Sequence, residues 1–299
     1  MRVLVTGGAG FLGSHLVDSL VERGDDVVVL DDLSRGHRSQ IDSLATFVQG
    51  DVRSLDDWHL ACENFQPEVI HHLAAINGTR RFHKEADLVV DVNVNGTRLA
   101  LEIAQHYSAR LVFYSSPEGF GEQEKMPLSN DSDSLFTPPH FHQRHSYGAS
   151  KHIGELLCQF EVRKGLDVRI VRPFNVYGPR LHGDENGQVV SMMMEASPIE
   201  VHGDGLQTRS LTWVGDVVEA LIKVSTQDGL EGLAFNLGST DEISMIDLAN
   251  KIAELRGVEI VYTAPNNGDS KRRLPDVSMN TVIDWTAKTS LDEGLSHLL

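Results

Sequence analysis

The chain has 299 residues, 40% of them hydrophobic, which is long enough for a large core and gives a prior of about two domains. With 26 basic against 43 acidic residues the formal net charge is −17. That balance argues against general binding to nucleic acid or to an anionic membrane, and it makes every arginine near an anionic ligand informative. Cys62 and Cys158 offer neither a disulfide framework nor metal-ligand spacing, and Cys158 reads as buried packing. No apolar run approaches 18 residues, Gly7-Gly8 interrupts any signal-peptide pattern, and no repeat or low-complexity tract is visible. The cytoplasm is the expected compartment.

The first element is a short apolar strand, Val3 to Val5, that runs straight into Thr6-Gly7-Gly8-Ala9-Gly10-Phe11-Leu12-Gly13. Gly7 permits a tight turn, Gly10 lets the backbone approach a pyrophosphate, and Gly13 lets a helix pack closely on the strand. The helix that follows places Leu12, Leu16 and Leu20 on one face, stops at Gly24, and aims its amino end at the phosphates. A second apolar strand, Val27 to Leu30, ends in Asp31, 18 residues after Gly13. An acid at that point can hydrogen-bond both ribose hydroxyls and would repel a 2′-phosphate, so NAD is favoured over NADP. The bland alternative is a glycine-rich turn that holds nothing. Strand, helix, strand and terminal acid in the right order weigh against it.

Further strands are expected at 46–48, 69–70, 110–114 and 168–171, with helices from about Leu55, over 86–106 and over 147–164. Ser54 with Asp57 and Ser244 with Asp247 fit capping boxes. Regular alternation predicts a doubly wound parallel sheet with helices on both faces. The rhythm breaks twice. Residues 117–146 form a 30-residue segment rich in Pro, Ser and His, long enough for a functional lid. Beyond Arg172-Pro173 the pattern is irregular until Thr212-Trp213-Val214, and from Ser239 onward come a helix, a strand at 258–262 and a polar tail. The expected division is 1–172 plus 212–238 as an NAD-binding Rossmann domain, and 173–211 plus 239–299 as a smaller discontinuous α+β substrate domain.

Tyr147 and Lys151 stand at i and i+4, on one helix face. An ammonium beside a phenol favours the phenolate and would make Tyr147 a general base. Ser115-Ser116 closes the preceding strand, and Ser116 can hold the hydroxyl whose proton Tyr147 removes while a hydride leaves the same carbon. Tyr-x-x-x-Lys alone is common on helix surfaces; it gains meaning downstream of a dinucleotide fingerprint.

These residues resemble the extended short-chain dehydrogenase/reductase superfamily, and within it the NAD-dependent nucleotide-sugar epimerases, dehydratases and decarboxylases. The likeness runs over essentially the whole chain. It is carried by the glycine motif, Asp31-Asp32-Leu33, Gly50-Asp51-Val52, His72-Leu73-Ala74-Ala75, Ser115-Ser116, Tyr147 with Lys151, and Arg172 to Arg180. Gly203-Asp204-Gly205 before Thr208-Arg209, and Arg272-Arg273 before Pro275-Asp276, complete it. The resemblance implies that Gly7, Gly10, Phe11, Leu12 and Gly13 hold the NAD pyrophosphate, that Asp31 and Asp32 hold the adenosine ribose, and that Asp51 and Val52 hold the adenine. It places Leu73, Ala74 and Ala75 near the nicotinamide, Lys151 on the nicotinamide ribose, and Asn95 behind the site as support for a helix. Asn175, Arg209 and Arg273 would face a nucleoside-diphosphate sugar, with Arg180 a further candidate. A diphosphate in a protein of charge −17 needs such guanidinium partners. Helices from Ala86 and Tyr147 pair into a four-helix bundle in this family, so a homodimer is expected.

The shared step is oxidation at C4 of the hexose. The ketone then permits hydride return to the opposite face, loss of water, or loss of carbon dioxide. Glu118 stands where family dehydratases and glucuronate decarboxylases carry glutamate, and it could abstract the C5 proton or orient water. Pro117 removes the usual acid of the thymidine-diphosphoglucose dehydratases, and Phe120 replaces the usual tyrosine. Asn186 to Ser191 looks like a glucuronate decarboxylase, yet the neutral Gln188 falls where an arginine is expected. Asn77 to Phe82 is unlike those enzymes, with Arg80 or Arg81 as substitute anion contacts. Epimerisation leads, with decarboxylation and dehydration as alternatives, and a non-catalytic NAD-sensing regulator is the rival from another class. His140, His142 and His145 lack the carboxylate or cysteine partners of a metal site and read as part of a polar lid; no metal is expected. Met192 to Met194 reads as helix core.

Overall fold

Val3, Leu4 and Val5 are fully buried, so the first strand, β1 (Arg2–Thr6), is covered on both faces. A parallel strand covered in this way reads as one continuous apolar run. The computed structural model describes residues 1–141, 145–184, 187–265 and 271–299. Its main sheet has seven strands: β1, β2 (Asp26–Asp31), β3 (Thr46–Gln49), β4 (Val69–His72), β5 (Arg110–Tyr114), β6 (Val168–Pro173) and β7 (Ala234–Leu237). Their spatial order is β7-β6-β5-β4-β1-β2-β3, and each neighbouring pair is parallel. Val3 pairs with Val27 on one side and with Val69 on the other, so the chain reverses its direction of travel across the sheet at β1. Open sheets bind ligands outside the carboxyl ends of the strands at such a reversal. The expected Rossmann-type α/β architecture is present.

Alternate side chains of a strand point to opposite faces, and the core divides accordingly. Val3, Val5, Val27 and Val29 pack with α1 (Phe11–Glu22) on one face, where Leu16, Val17 and Leu20 are buried. Leu4, Val28 and Leu30 face the other cluster, with Trp58 of α2 (Leu55–Cys62). Ser54 and Ser244 accept the backbone N–H of Asp57 and Asp247, so both expected caps form.

The expected single helix over 86–106 is in fact broken. After α3 (Thr79–Lys84), α4 (Ala86–Val90) runs through a π-helical turn, Asp91–Asn95, into α5 (Gly96–Tyr107). The next helix, α6 (His145–Val162), carries Tyr147 and Lys151 and packs against all three pieces. The irregular stretch after Pro173 holds α7 (Val189–Glu195) and short strands at Val176–Tyr177, Ile199–His202, Thr208–Ser210 and Thr212–Trp213. α8 (Val214–Thr226) follows and packs on α1. Tyr177, Val190, Met193, Ile199 and Val201 share a separate cluster with Leu248 and Ile252 of α9 (Met245–Arg256) and with Leu295 of α10 (Leu291–Ser296). Of the three methionines read as helix core, Met193 is buried there while Met192 is exposed. The tail does not stay with this cluster: Ile283 and Trp285 pack into the main sheet's core beside Val217 and Leu221 of α8, and Trp285 Nε1 donates to the Asp216 carbonyl at 2.9 Å.

Candidate active site

The glycine turn lies where the sheet reverses, and its geometry demands glycine. Gly7 has φ +71°, and a Cβ there would stand 2.8 Å from the Ala74 backbone nitrogen. A Cβ on Gly13 would stand 2.2 Å from the Gly7 carbonyl oxygen. α1 therefore starts as close to the end of β1 as backbone allows. Gly10 is its N-cap, no side chain caps it, and its first turn carries no acid. Those open N–H groups at the positive end of a helix are an anion site. Asp31 is buried and lines the same cavity; its two oxygens accept from Ala9 N (3.0 Å) and Leu33 N (2.8 Å), while burial raises its carboxyl above the ordinary range. Asp31 thus also fastens the glycine turn, a role the sequence did not disclose. These features fit a dinucleotide.

One cavity of about 1340 Å³ runs from this turn across the strand ends. Gly7, Gly10, Phe11, Leu12, Gly13, Asp31, Asp32, Asp51, Val52, Leu73, Ala74 and Ala75 line it, together with Ser116, Glu118, Tyr147 and Lys151. Asn175 and Arg209 line it too. Arg180 does not: its guanidinium pairs with Asp18 on α1 at 2.6 Å. Arg273 lies behind the lining and is only 3% exposed. It donates through Nη2 to the Gly121 carbonyl at 2.6 Å and stands 3.6 Å from the Glu118 carboxylate, while its Nε and Nη1 have no partner among the described residues. Phe120 is turned away into a cluster with Leu128 and Phe174. Arg80 and Gln188 line the cavity, whereas Arg81 pairs with Glu85 at 2.7 Å. Of the three histidines, His145 meets Glu122 at 3.2 Å; His142, like Asn186, lies outside the described residues.

The phenol and the amine are both buried. Burial pushes the Tyr147 hydroxyl up to about 12, a hydrogen bond with Ser116 opposes this, and the Glu118 charge adds to it. Burial likewise pulls the Lys151 ammonium down to about 8. The expected lowering of the phenol by Lys151 is absent among these causes. The Lys151 Nζ donates to the Tyr114 carbonyl at 2.7 Å and stands 5.7 Å from the Tyr147 ring centroid, so the amine is anchored to a strand end rather than to the phenol. Ser116 is fixed as the cap of the turn Pro117–Phe120, its Oγ accepting from Glu118 N at 3.2 Å.

The support behind the site is Asn93, not Asn95. Asn93 is 2% exposed, accepts from Ile76 N at 2.8 Å and donates to Ser150 Oγ at 2.9 Å. Asn95 donates to Asp91 at the surface. The π-helical turn inserts an extra residue into the helix repeat and so rotates Asn93 inward; a buried polar residue in an apolar helix face was the available signal. Sequence reading also missed Phe82, Glu195, Glu200 and His202, all of which line the cavity.

A model of the NAD dependent epimerase/dehydratase family matches residues 3–238. The UDP-N-acetyl-alpha-D-glucosaminuronate decarboxylase of Bacillus cytotoxicus is 35% identical over 312 residues, spanning 100% of this chain and 96% of its own length. Among solved structures, the UDP-glucose 4-epimerase of Thermotoga maritima with UDP-glucose aligns at TM-score 0.93 and 30% identity, over 99% of this chain and 97% of that one. The Thermus thermophilus UDP-glucose 4-epimerase, solved in complex with NAD, aligns at 0.87 and 30%, over 99% and 98%.

Two outcomes follow from this geometry. Gly13→Ala forces α1 off β1, so the purified variant is expected to carry less than about a tenth of the NAD bound by the parent, read by chromatography after denaturation; full NAD content would contradict the packing. The folded Lys151 holds its proton less tightly than the ordinary value of 10.5, so the unfolded chain binds more protons between pH 8 and 10.5 and stability rises there with pH. The Tm of cofactor-free Lys151→Met minus that of the parent should fall across this window, and a flat difference in calorimetry would contradict the burial argument.

Proposed function

The chain belongs to the NAD-dependent epimerase/dehydratase family, and on that premise we propose that it is a 4-epimerase of a nucleoside-diphosphate hexose. The observation that carries the reading is the gathering of Ser116, Tyr147 and Lys151 in one cavity with the glycine turn and Asp31. The volume of about 1340 Å³ suits two extended ligands laid end to end. Bound NAD supplies the hydride acceptor at C4 and a cationic ring that eases ionisation of a nearby phenol.

In this reading Tyr147 takes the C4 hydroxyl proton as phenolate, with Ser116 holding the same oxygen by hydrogen bond. The C4–H pair of electrons leaves as hydride and a ketone results. Epimerisation requires the keto-hexose to turn and present its other face before the hydride comes back and Tyr147 returns the proton. Lys151, tied to the end of β5, contributes positive charge near the phenol and a donor for the nicotinamide ribose. Asn175 and Arg209 are assigned to the sugar nucleotide's diphosphate. Arg180, paired with Asp18 outside the cavity, is withdrawn from that set.

A second reading is favoured by Glu118, whose carboxylate lines the cavity beside Tyr147 with Arg273 at 3.6 Å. In a 6-carboxylate substrate the C4 ketone lets the C5–C6 bond break: the electron pair moves toward the ketone oxygen, carbon dioxide leaves, a water oriented by the Glu118 carboxylate gives a proton to C5, and hydride returns to C4. Dehydration is less well served, because Pro117 lines the cavity where a proton donor for the leaving hydroxyl would stand.

Incubation with a panel of UDP-, GDP- and dTDP-sugars, read by mass and by proton NMR, separates the readings. Epimerisation leaves mass unchanged with a new anomeric spectrum, dehydration removes about 18 mass units and decarboxylation about 44. Tyr147→Phe should lower turnover by at least about 10³-fold with NAD retained. Glu118→Gln should leave an epimerase within a fewfold of the parent and cripple a decarboxylase. If every sugar nucleotide returns unchanged in both mass and spectrum, the enzymatic reading fails.

The homodimer is proposed on the outer face of α4 and α6. Ile153, Leu156 and Phe160 form an exposed apolar stripe on α6, with Leu156 at 59% and Phe160 at 54%, and Val90 of α4 is also exposed. A stripe of this kind pairs with a second copy of itself across a two-fold axis. Sedimentation should give a dimer at micromolar concentration and a monomer for Leu156→Lys/Phe160→Asp; a monomeric parent would overturn the assignment.

A further inference from the structure

α3 is a wall of the cavity with no assigned role, and its most buried described side chain reaches the catalytic phenol. Phe82 stacks on Tyr147 with ring centroids 4.9 Å apart and planes 10° from parallel. Carbon surfaces touch at about 3.5–4.0 Å, so this spacing means two rings in face contact and slid past one another, the favoured arrangement for an aromatic pair. Phe82 is 8% exposed, lines the cavity, and sits in a small apolar cluster with Ile76, Val89 and Tyr147. Its backbone is held as well: Phe82 N donates to the Gly78 carbonyl at 3.1 Å, and its carbonyl accepts from Ser146 Oγ, one residue before Tyr147, at 3.0 Å.

Resting on the reading of Tyr147 as general base, we infer that Phe82 is a positioning residue that fixes the ring plane of Tyr147 and keeps water off one face of it. The physical reason lies in the phenol. Rotation about the Cβ–Cγ axis leaves the phenolic oxygen in place but turns its lone pairs, which lie in the ring plane. Terminal torsions of this kind are broad and poorly restrained on their own. Proton transfer needs those lone pairs aimed at the substrate hydroxyl and at Ser116. Lys151 does not impose the plane, since its amine is tied to the Tyr114 carbonyl. A flat ring held by its own backbone bonds and laid against the phenol does. The charged and titratable groups that share this cavity wall are Glu118, with Arg273 behind it, Lys151, and Arg80 and His83 of α3.

The test uses NAD-loaded protein and three chains: parent, Phe82→Ala and Phe82→Tyr. On the sugar nucleotide turned over by the parent, Phe82→Ala should lower kcat at least about tenfold with KM within about threefold, and Phe82→Tyr, which keeps the stack, should stay within about threefold in both. A readout free of substrate accompanies it. Ultraviolet difference titration of each chain against its own Tyr147→Phe counterpart isolates the Tyr147 phenolate, which should appear at least about one pH unit lower in Phe82→Ala than in the parent. Either a kcat for Phe82→Ala within threefold of the parent, or a Phe82→Tyr as impaired as Phe82→Ala, or an unshifted titration overturns the inference. Failure of every sugar in the panel would instead reject the proposed reaction, while the titration still decides whether the stack governs the phenol.

Discussion

Desolvation of one phenol and one amine at the end of β5 is the constraint on which the site depends. Tyr147 and Lys151 are both nearly inaccessible, and each is held toward its neutral form by burial. A site of that kind works only if the surrounding frame orients the groups without help from water. Much of that orientation comes from the sheet itself. A strand's last carbonyls run past its ladder, and the Tyr114 carbonyl, left over at the end of β5, is the acceptor that fixes the Lys151 amine.

The rotation of α6 is set by a second buried arrangement. Tyr147, Lys151 and Glu155 follow at intervals of four and so share one helix face. Glu155 receives two hydrogen bonds from Arg172 of β6, at 2.7 and 2.6 Å, and one from Ser115, the residue after β5. A buried ion pair contributes less to net stability than to uniqueness of arrangement. Here it locks the helix face that carries Tyr147 and Lys151, and Asn93 pins the same helix from the other side through Ser150. Arg172 therefore acts from beneath the site.

The first βαβ unit, its terminal acid and the tyrosine–lysine pair were legible because each rests on local rules: continuous apolar runs for buried strands, obligatory glycine where backbone meets backbone, and four-residue spacing on a helix. What escaped had non-local causes. Asn93 and Asn95 are indistinguishable by spacing until the π-helical turn that contains them both is known. The strands at Val176–Tyr177 and Thr208–Ser210 are two and three residues long, too short for periodicity to register. Arg180 and Arg209 look alike in sequence, yet Asp18, 162 residues away, takes the first out of the cavity. The phenol's electrostatics were misjudged for the same reason. Spacing brings Lys151 near Tyr147, but only the strand end reveals which partner its amine takes.

Glu118 follows Ser116 within one capped turn, Pro117–Phe120, so the residue that distinguishes the proposed reactions stands beside the residues common to all of them. Ser116, Tyr147 and Lys151 belong to β5's end and α6. Glu118 is answered by Arg273, which arrives from the carboxyl-terminal segment. Arg272–Arg273 pairs in parallel with Thr208–Ser210, in a register that sets Arg273 directly beside Arg209. Two guanidinium groups on neighbouring strands are tolerated when each has its own anion. Arg273 turns to Glu118 and the Gly121 carbonyl, while Arg209 lines the cavity. The strand pair thus joins the segment that lines the cavity with Arg209 to the residue that meets Glu118.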